Sequence, residues 1–279
     1  MSSGIGWSRS RRWLLETCPR RFVLTYPGPN GEGGPAIDPP PRLRLKRLID
    51  GVRKDLFEDR SEGHAWSSRL HRVVLEQRMD AAGPALELDA VARRREARHE
   101  VRRIALLLRH PWISHHLPVG TTCHVPHALR SVKDDGGHLW AAPNLVTGGA
   151  APRAVLLRQG RCHGAVDDLE AALSLRWAAH GWPTSLNRTV TVMRWFGGAW
   201  IHHMVFVTPD LETAAEALLD HDRRAMAALR RRWCQQGLAS LPLASSKVHC
   251  RQCPFEASCP GVGSALGVPQ ARLAPSKRS

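Results

Sequence analysis

No stretch of this 279-residue chain approaches the roughly 20 consecutive apolar residues of a membrane-spanning helix, so a bilayer-embedded protein is not expected. The opening "MSSGIGWSRSRRWLLETC" lacks the charged segment followed by an apolar one that marks a secretory leader. A cytoplasmic chain with reduced thiols is expected. Seven cysteines cannot all pair, which argues against a disulfide framework and leaves the clustered ones for a metal. Internal repeats are absent. Acids are scarce, with 25 Asp and Glu against 40 Lys and Arg for a formal charge of +15. That imbalance excludes nothing about fold, but it predicts attraction to polyanions and salt-sensitive binding.

A hydrophobic share of 43% is enough for a buried core. The basic residues come in runs: "RSRR" at 9–12, "RLRLKR" at 42–47, "RRRE" at 93–96 and "RRR" at 230–232. Arg9, Arg11 and Arg12, with Arg42, Arg44, Lys46 and Arg47, are the candidate nucleic-acid contacts. An arginine-inflated composition and a basic protein–protein interface are the competing readings.

Residues 7–26 read as a short helix carrying Trp13 and Leu14 with an aromatic-rich exit. The Pro/Gly-rich 27–41 reads as a loop, and helical periodicity follows with breaks from about 42 to 110. There Val101, Ile104, Ala105 and Leu108 mark one helix face. "TTCHVPHALRSV" and "HLWAAPNLV" read as two strands joined by the hairpin turn "KDDGG", and "RAVLLR" as a third. A helix follows, N-capped by Asp167 or Asp168 and stopped near Gly181. "RTVTVMRWF", "GG" and "AWIHHMVFV" form a second hairpin, and Pro209 opens a long helix to about Gln236. The expected fold class is α/β.

The segment "HCRQCPFEASCPG" from His249 holds Cys250, Cys253 and Cys259 as C-x2-C-x5-C. Three clustered thiols suit a metal, yet structural zinc and cubane iron–sulfur sites both take four ligands. The residues alone leave both groups open, with His249 or one of the distant cysteines as the fourth ligand. Cys18 stands out because Pro19 follows it, as Pro254 follows Cys253 and Pro260 follows Cys259.

This arrangement resembles that of RecB-type PD-(D/E)XK nucleases that carry a cluster, the AddB-type nucleases and CRISPR-associated RecB-like exonucleases. The resemblance implies a mixed sheet flanked by helices, with a [4Fe–4S] cluster on Cys18, Cys250, Cys253 and Cys259 joining the chain ends. Zinc is the alternative occupant, and Trp7 and Trp13 are expected to pack nearby. "RLRLKRLIDG" with "WSSRLHRVV" resembles the family's helical lead-in, which ends in a metal-site histidine, here His71. "HHMVFVTPDLETAAEALL" resembles the strand and helix that precede the cysteine trio. On this reading residues 1–267 form one RecB-like domain, with a helical insertion at 42–118, a sheet core at 119–236 and a cysteine segment at 245–262. Residues 268–279 read as a disordered basic tail.

Phosphodiester hydrolysis in this family needs an Asp on one strand and an Asp/Glu-x-Lys on the next, holding Mg²⁺ or Mn²⁺ and a lysine near the attacking water. Here Pro126 or His127 stands for the first Asp, and Asn144-Leu145-Val146 stands for Asp-x-Lys. Glu170 and Ser174 stand for the family's Gln-x-x-x-Tyr. No Asp-x-Lys or Glu-x-Lys occurs between residues 110 and 200. Neutral Asn and apolar Val restore neither charge nor donor, so hard-metal catalysis is not expected. Rescue by Asp134-Asp135 or Asp167-Asp168 is the exception to test, since both pairs sit where Asp is ordinary, at a turn and at a helix start. His124, His127, His202 and His203 show no ligand spacing; the last two point to opposite sheet faces.

The expected function is therefore a catalytically inactive iron–sulfur relative of RecB nucleases. It would bind DNA or RNA, or sit with other protein subunits in a defence, CRISPR-type, repair or phage machine. A divergent active exonuclease and a purely structural interaction protein are the alternatives.

Overall fold

The computed structural model describes residues 5–27, 40–127, 129–161, 164–182, 186–244, 246–251, 253–256 and 259–260. Most of the 27–41 loop, Cys162 and the 268–279 tail lie outside them. The chain divides into two compact units interleaved in sequence. One comprises residues 1–38, 133–139 and 218–279, the other residues 39–132 and 140–217.

In the first unit β1 (Trp7–Ser8) leads into α1 (Arg9–Thr17) and α2 (Pro19–Thr25). Two helices stand where one short helix was expected. Cys18, before a proline, is held extended at φ −159°, and Pro19 takes the first helical position of α2. The break leaves Cys18 between the helices, its sulfur accepting from the Arg21 backbone N–H at 3.4 Å.

The second unit begins with α3 (Pro41–Ser61), α4 (Ser68–Ala82), α5 (Ala90–Leu108) and α6 (Pro111–His116). Ile49 and Val52 of α3 pack on Leu75 and Met79 of α4 and on Ala97 of α5. The buried face of α5 is Ala97, Glu100, Ile104 and Leu107, with the expected Val101, Ala105 and Leu108 only half-buried. The buried face is rotated from the apolar one because a glutamate sits in the core. Glu100 is fully buried, and Arg53 reaches both its carboxylate oxygens.

The expected first hairpin is split. β2 (Cys123–His124) is only two residues long, and the Asp-Gly turn joins β3 (Val132–Asp134) to β4 (Gly137–Trp140) instead. These two strands belong with β1 in a three-stranded sheet ordered β1-β4-β3. β5 (Leu145–Thr147), β6 (Ala154–Gln159), α7 (Ala165–Ala179), β7 (Thr189–Phe196) and β8 (Ala199–Phe206) follow. Their sheet runs β2-β5-β6-β7-β8, antiparallel except for the parallel β6–β7 pair that α7 connects.

Alternation along the strands gives that sheet two apolar faces. Leu145, Val155 and Met193 pack under Leu56, Phe57, Ile104, Leu107 and Ile113 of α3, α5 and α6. Ala154, Leu156 and Val192 alternate to the other face and are equally buried, while α7 packs on β6 and β7. The fold is thus mixed α/β with helices on the sheet. Gly164 rather than Asp167 or Asp168 caps α7, and its φ of 52° is cheap only for glycine. The helix α8 (Pro209–Gln236) starts at the expected proline, with residues 209–217 in the second unit and 218–236 in the first. The short α9 (Lys247–Arg251) carries Cys250. Among the described residues no helix is long and apolar enough to cross a membrane.

Candidate functional site

The first unit gathers Cys18, Cys250, Cys253 and Cys259 around one cavity, which encloses about 360 Å³ of interatomic space partly open to solvent. Successive tight turns hold the last three, with Cys253 N–H donating to the Cys250 carbonyl at 2.8 Å and Cys259 N–H to the Glu256 carbonyl at 3.3 Å. Arg20 is anchored by donating to the Ala239 and Leu241 carbonyls at 2.9 and 2.8 Å, and its Nη1 lies 3.9 Å from the Cys259 sulfur. His249 also lines the cavity and meets the Trp13 ring edge-on at 6.2 Å. Trp7 is buried and donates from Nε1 to Asp222 at 2.7 Å, whereas Trp13 is 46% exposed.

Burial pushes the Cys253 thiol up; the Phe255 backbone N–H and Arg21 oppose this, and Cys18 and Cys259 add to it. Any metal taken up here would therefore displace protons. The donor set is four soft thiols with two guanidiniums beside them, which suits a thiolate-bound group carrying net negative charge. Among the described residues no three Cys, His, Asp or Glu side chains form a ready-made single-ion site. Zn–S bonds of about 2.3 Å would draw four sulfurs to within about 3.8 Å of one another, whereas a cubane spreads its ligands over four irons.

The residues standing for the nuclease motif do not form one constellation. His127 is exposed, its Nδ1 accepting from the Leu129 N–H at 3.2 Å in a turn. Val146 is buried in β5 opposite Ala154, and Ser174 is buried within α7. His71 is buried on α4, edge-on to Trp66 at 6.0 Å, and its Nε2 finds no hydrogen-bond partner among the described residues. Burial pulls its pKa down, with Glu100 opposing and Arg53 adding, so the ring is neutral near pH 7.

Asn144 and Glu170 do meet, through a residue that the motif comparison passed over. Arg158 on β6 donates from Nη1 to Asn144 Oδ1 at 3.2 Å and from Nε to Glu170 Oε2 at 2.9 Å. Asn144 Oδ1 also accepts the Leu157 N–H at 2.7 Å, which fixes the amide against β6. One strand over, Arg194 of β7 binds Asp167 at 2.6 Å, both side chains almost fully buried. In the first unit Arg223 binds Asp134 at 3.1 Å in the same manner. Both acid pairs considered for rescue therefore contribute a carboxylate to a buried arginine. The signal in the sequence was the arginine ending "RAVLLR", a charge at the end of an otherwise apolar strand.

The candidate nucleic-acid residues are scattered in environment. Arg11 is buried, donating to the Gly6 carbonyl at 2.7 Å and lying over the Tyr26 ring. Arg12 pairs with Glu16 at 2.9 Å and Asp222 at 3.3 Å, and Lys46 pairs with Asp50. Arg9, Arg42 and Arg47 are exposed, and Arg44 is half-buried. Exposed guanidiniums concentrate elsewhere, at Arg94, Arg95, Arg98 and Arg102 of α5.

No family model matches the chain, and no curated protein does. Among solved structures the chain is similar to a proposed exonuclease from Eubacterium rectale. The two are 9% identical with a TM-score of 0.41, over 88% of this chain and 96% of that one. It is also similar to the protein SSO0001, at 11% identity and a TM-score of 0.30 over 79% of this chain and 96% of that one. Neither likeness assigns an activity to this chain.

Proposed function

We propose that the chain is a catalytically inactive, nucleic-acid-binding relative of the RecB-type nucleases. Its working context would be a larger nucleic-acid-handling complex. The observation that carries the reading is Arg158, whose guanidinium sits between Asn144 and Glu170. In a working centre of this class a divalent cation and a lysine bring the positive charge to the carboxylates and the attacking water. Here a fixed guanidinium supplies that charge. It cannot lose a proton, has no acceptor for water and cannot coordinate phosphate and water as a metal does. A hard cation entering this site would have to displace the part-buried Arg158–Glu170 pair.

The four cysteines around one cavity support a resident [4Fe–4S] cluster held by Cys18, Cys250, Cys253 and Cys259. With every iron bound to protein, such a group supplies structure, tying the α1–α2 junction to the C-terminal segment. The excess of 15 positive charges supports binding to a polyanion.

The test is a cleavage assay with Mg²⁺ and with Mn²⁺ on single- and double-stranded DNA and on RNA. The protein is purified anaerobically with its iron intact, beside Glu170→Gln and His71→Ala. No cleavage by any of them is expected. Metal-dependent cleavage that either substitution abolishes would establish a divergent active nuclease and overturn this reading.

A further inference from the structure

We infer that the outer face of α5 is a phosphate-tracking surface, a sequence-independent docking strip for the phosphodiester backbone of a nucleic acid. The inference rests on the nucleic-acid reading above and says where the binding occurs. At about 100° per residue, Arg95, Arg98, His99 and Arg102 fall within about 100° of arc, opposite the face buried through Ala97, Glu100, Ile104 and Leu107. Their side chains fence an open recess of about 250 Å³. Arg94 flanks the arc, and the exposed Arg109 at the end of the helix continues its line. The helix rises about 10 Å from Arg95 to Arg102, with steps of about 4.5 and about 6 Å between successive arginines.

No acid lies on this arc. Glu100 is turned into the core on Arg53 and Arg103, and Glu96 approaches Arg95 only at 4.0 Å from the adjacent position. Arg98 and Arg102 have no carboxylate partner among the described residues. Like charges four residues apart on a helix repel, so Arg94, Arg98 and Arg102 weaken the helix they stand on. Elsewhere arginines are paired with inward carboxylates, at Glu100, Glu170, Asp167 and Asp134. A stripe in which Arg98 and Arg102 have no carboxylate partner among the described residues is complementary to an external row of anions.

The guanidinium fork selects phosphate among anions, since it can donate two parallel hydrogen bonds to one group. The arc carries no Phe, Tyr, Trp, Asn or Gln side chain, so it has neither a broad stacking platform nor an amide to read bases. Binding should therefore be carried mainly by the backbone, a guanine edge being the one base feature that these arginines can also bond.

The experiment measures the affinity of the full chain for DNA and RNA oligonucleotides across a potassium chloride series. R95Q/R98Q/R102Q is compared with R224Q/R231Q/R232Q, which removes the same charge from α8. The α5 variant should lose about 2–3 from the magnitude of the log K against log salt slope, at about 0.9 for each duplex phosphate no longer neutralised. The α8 variant should lose less than about one on the same scale, and both should melt as the parent does. An equal change in the two variants, or none in the α5 variant, would show diffuse attraction and overturn the inference while leaving nucleic-acid binding intact. If the parent binds neither DNA nor RNA at low salt, the nucleic-acid reading itself fails and the surface assignment falls with it.

Discussion

Glu100 shows how far one buried charge depends on its partners. Burial alone would raise its pKa, but Arg53 and Arg103 more than offset this and hold it below the ordinary carboxylate range. A folded-state pKa below the unfolded one gives stability that is present above the unfolded pKa, near 4.5, and is lost as pH falls through the folded one. Glu100→Gln leaves Arg53 with only Asp50 among the described residues, 3.2 Å away, as a carboxylate partner and should cost about 2–4 kcal/mol at pH 7. It should also flatten the acid limb of stability against pH, as read by urea midpoints from pH 7 to pH 3. An unchanged acid limb would remove Glu100 from the account. The same logic applies to Arg158, where the motif comparison found the neutralised position at Asn144 but missed the guanidinium that occupies it. An arginine at a strand end is ordinary in a chain this basic; only the turn of α7 that brings Glu170 over β6 makes it informative.

The elements most legible in advance were those with strong local codes. Gly197 and Gly198, at φ 60° and 84°, form the tight turn that the diglycine predicted between β7 and β8. Eight residue pairs in register follow from Thr189–Phe206 to Phe196–Ala199. Gly198→Ala should cost about 1–2 kcal/mol, because a side chain is strained in the left-handed region. Thermal melts would read this, and a neutral result would mean that the turn relaxes. Pro209 likewise opened α8 as expected. The elements that misled were those decided by long-range pairing. The Asp-Gly turn was rightly placed, but its strands join β1 rather than the larger sheet, and nothing local distinguishes those outcomes. The N-cap of α7 was misassigned because Asp167, a good N-cap by type, is drawn inward by Arg194, while the stop near Gly181 holds.

For the molecule as a whole, the cysteine cavity ties residue 18 to residues 250–259, across most of the chain's length. If a cluster is the tie, Cys18→Ala should give colourless protein that has lost its iron and sulfide, with poor soluble yield and an uncooperative melt. Iron and sulfide analysis with calorimetry checks this, and a normal, cooperative melt without iron would end the stapling idea. The sequence by itself determined the α/β character, the charge, the hairpin at Gly197-Gly198, and the absence of an Asp-x-Lys pair, because each is a local or compositional property. Only the tertiary structure decided that Cys18 shares a cavity with the C-terminal trio, that Asp134 and Asp167 are bound to arginines, and which face of α5 is left to solvent. The first two depend on which side chains meet across large sequence separations, and burial makes that choice by favouring a partner for each inward charge.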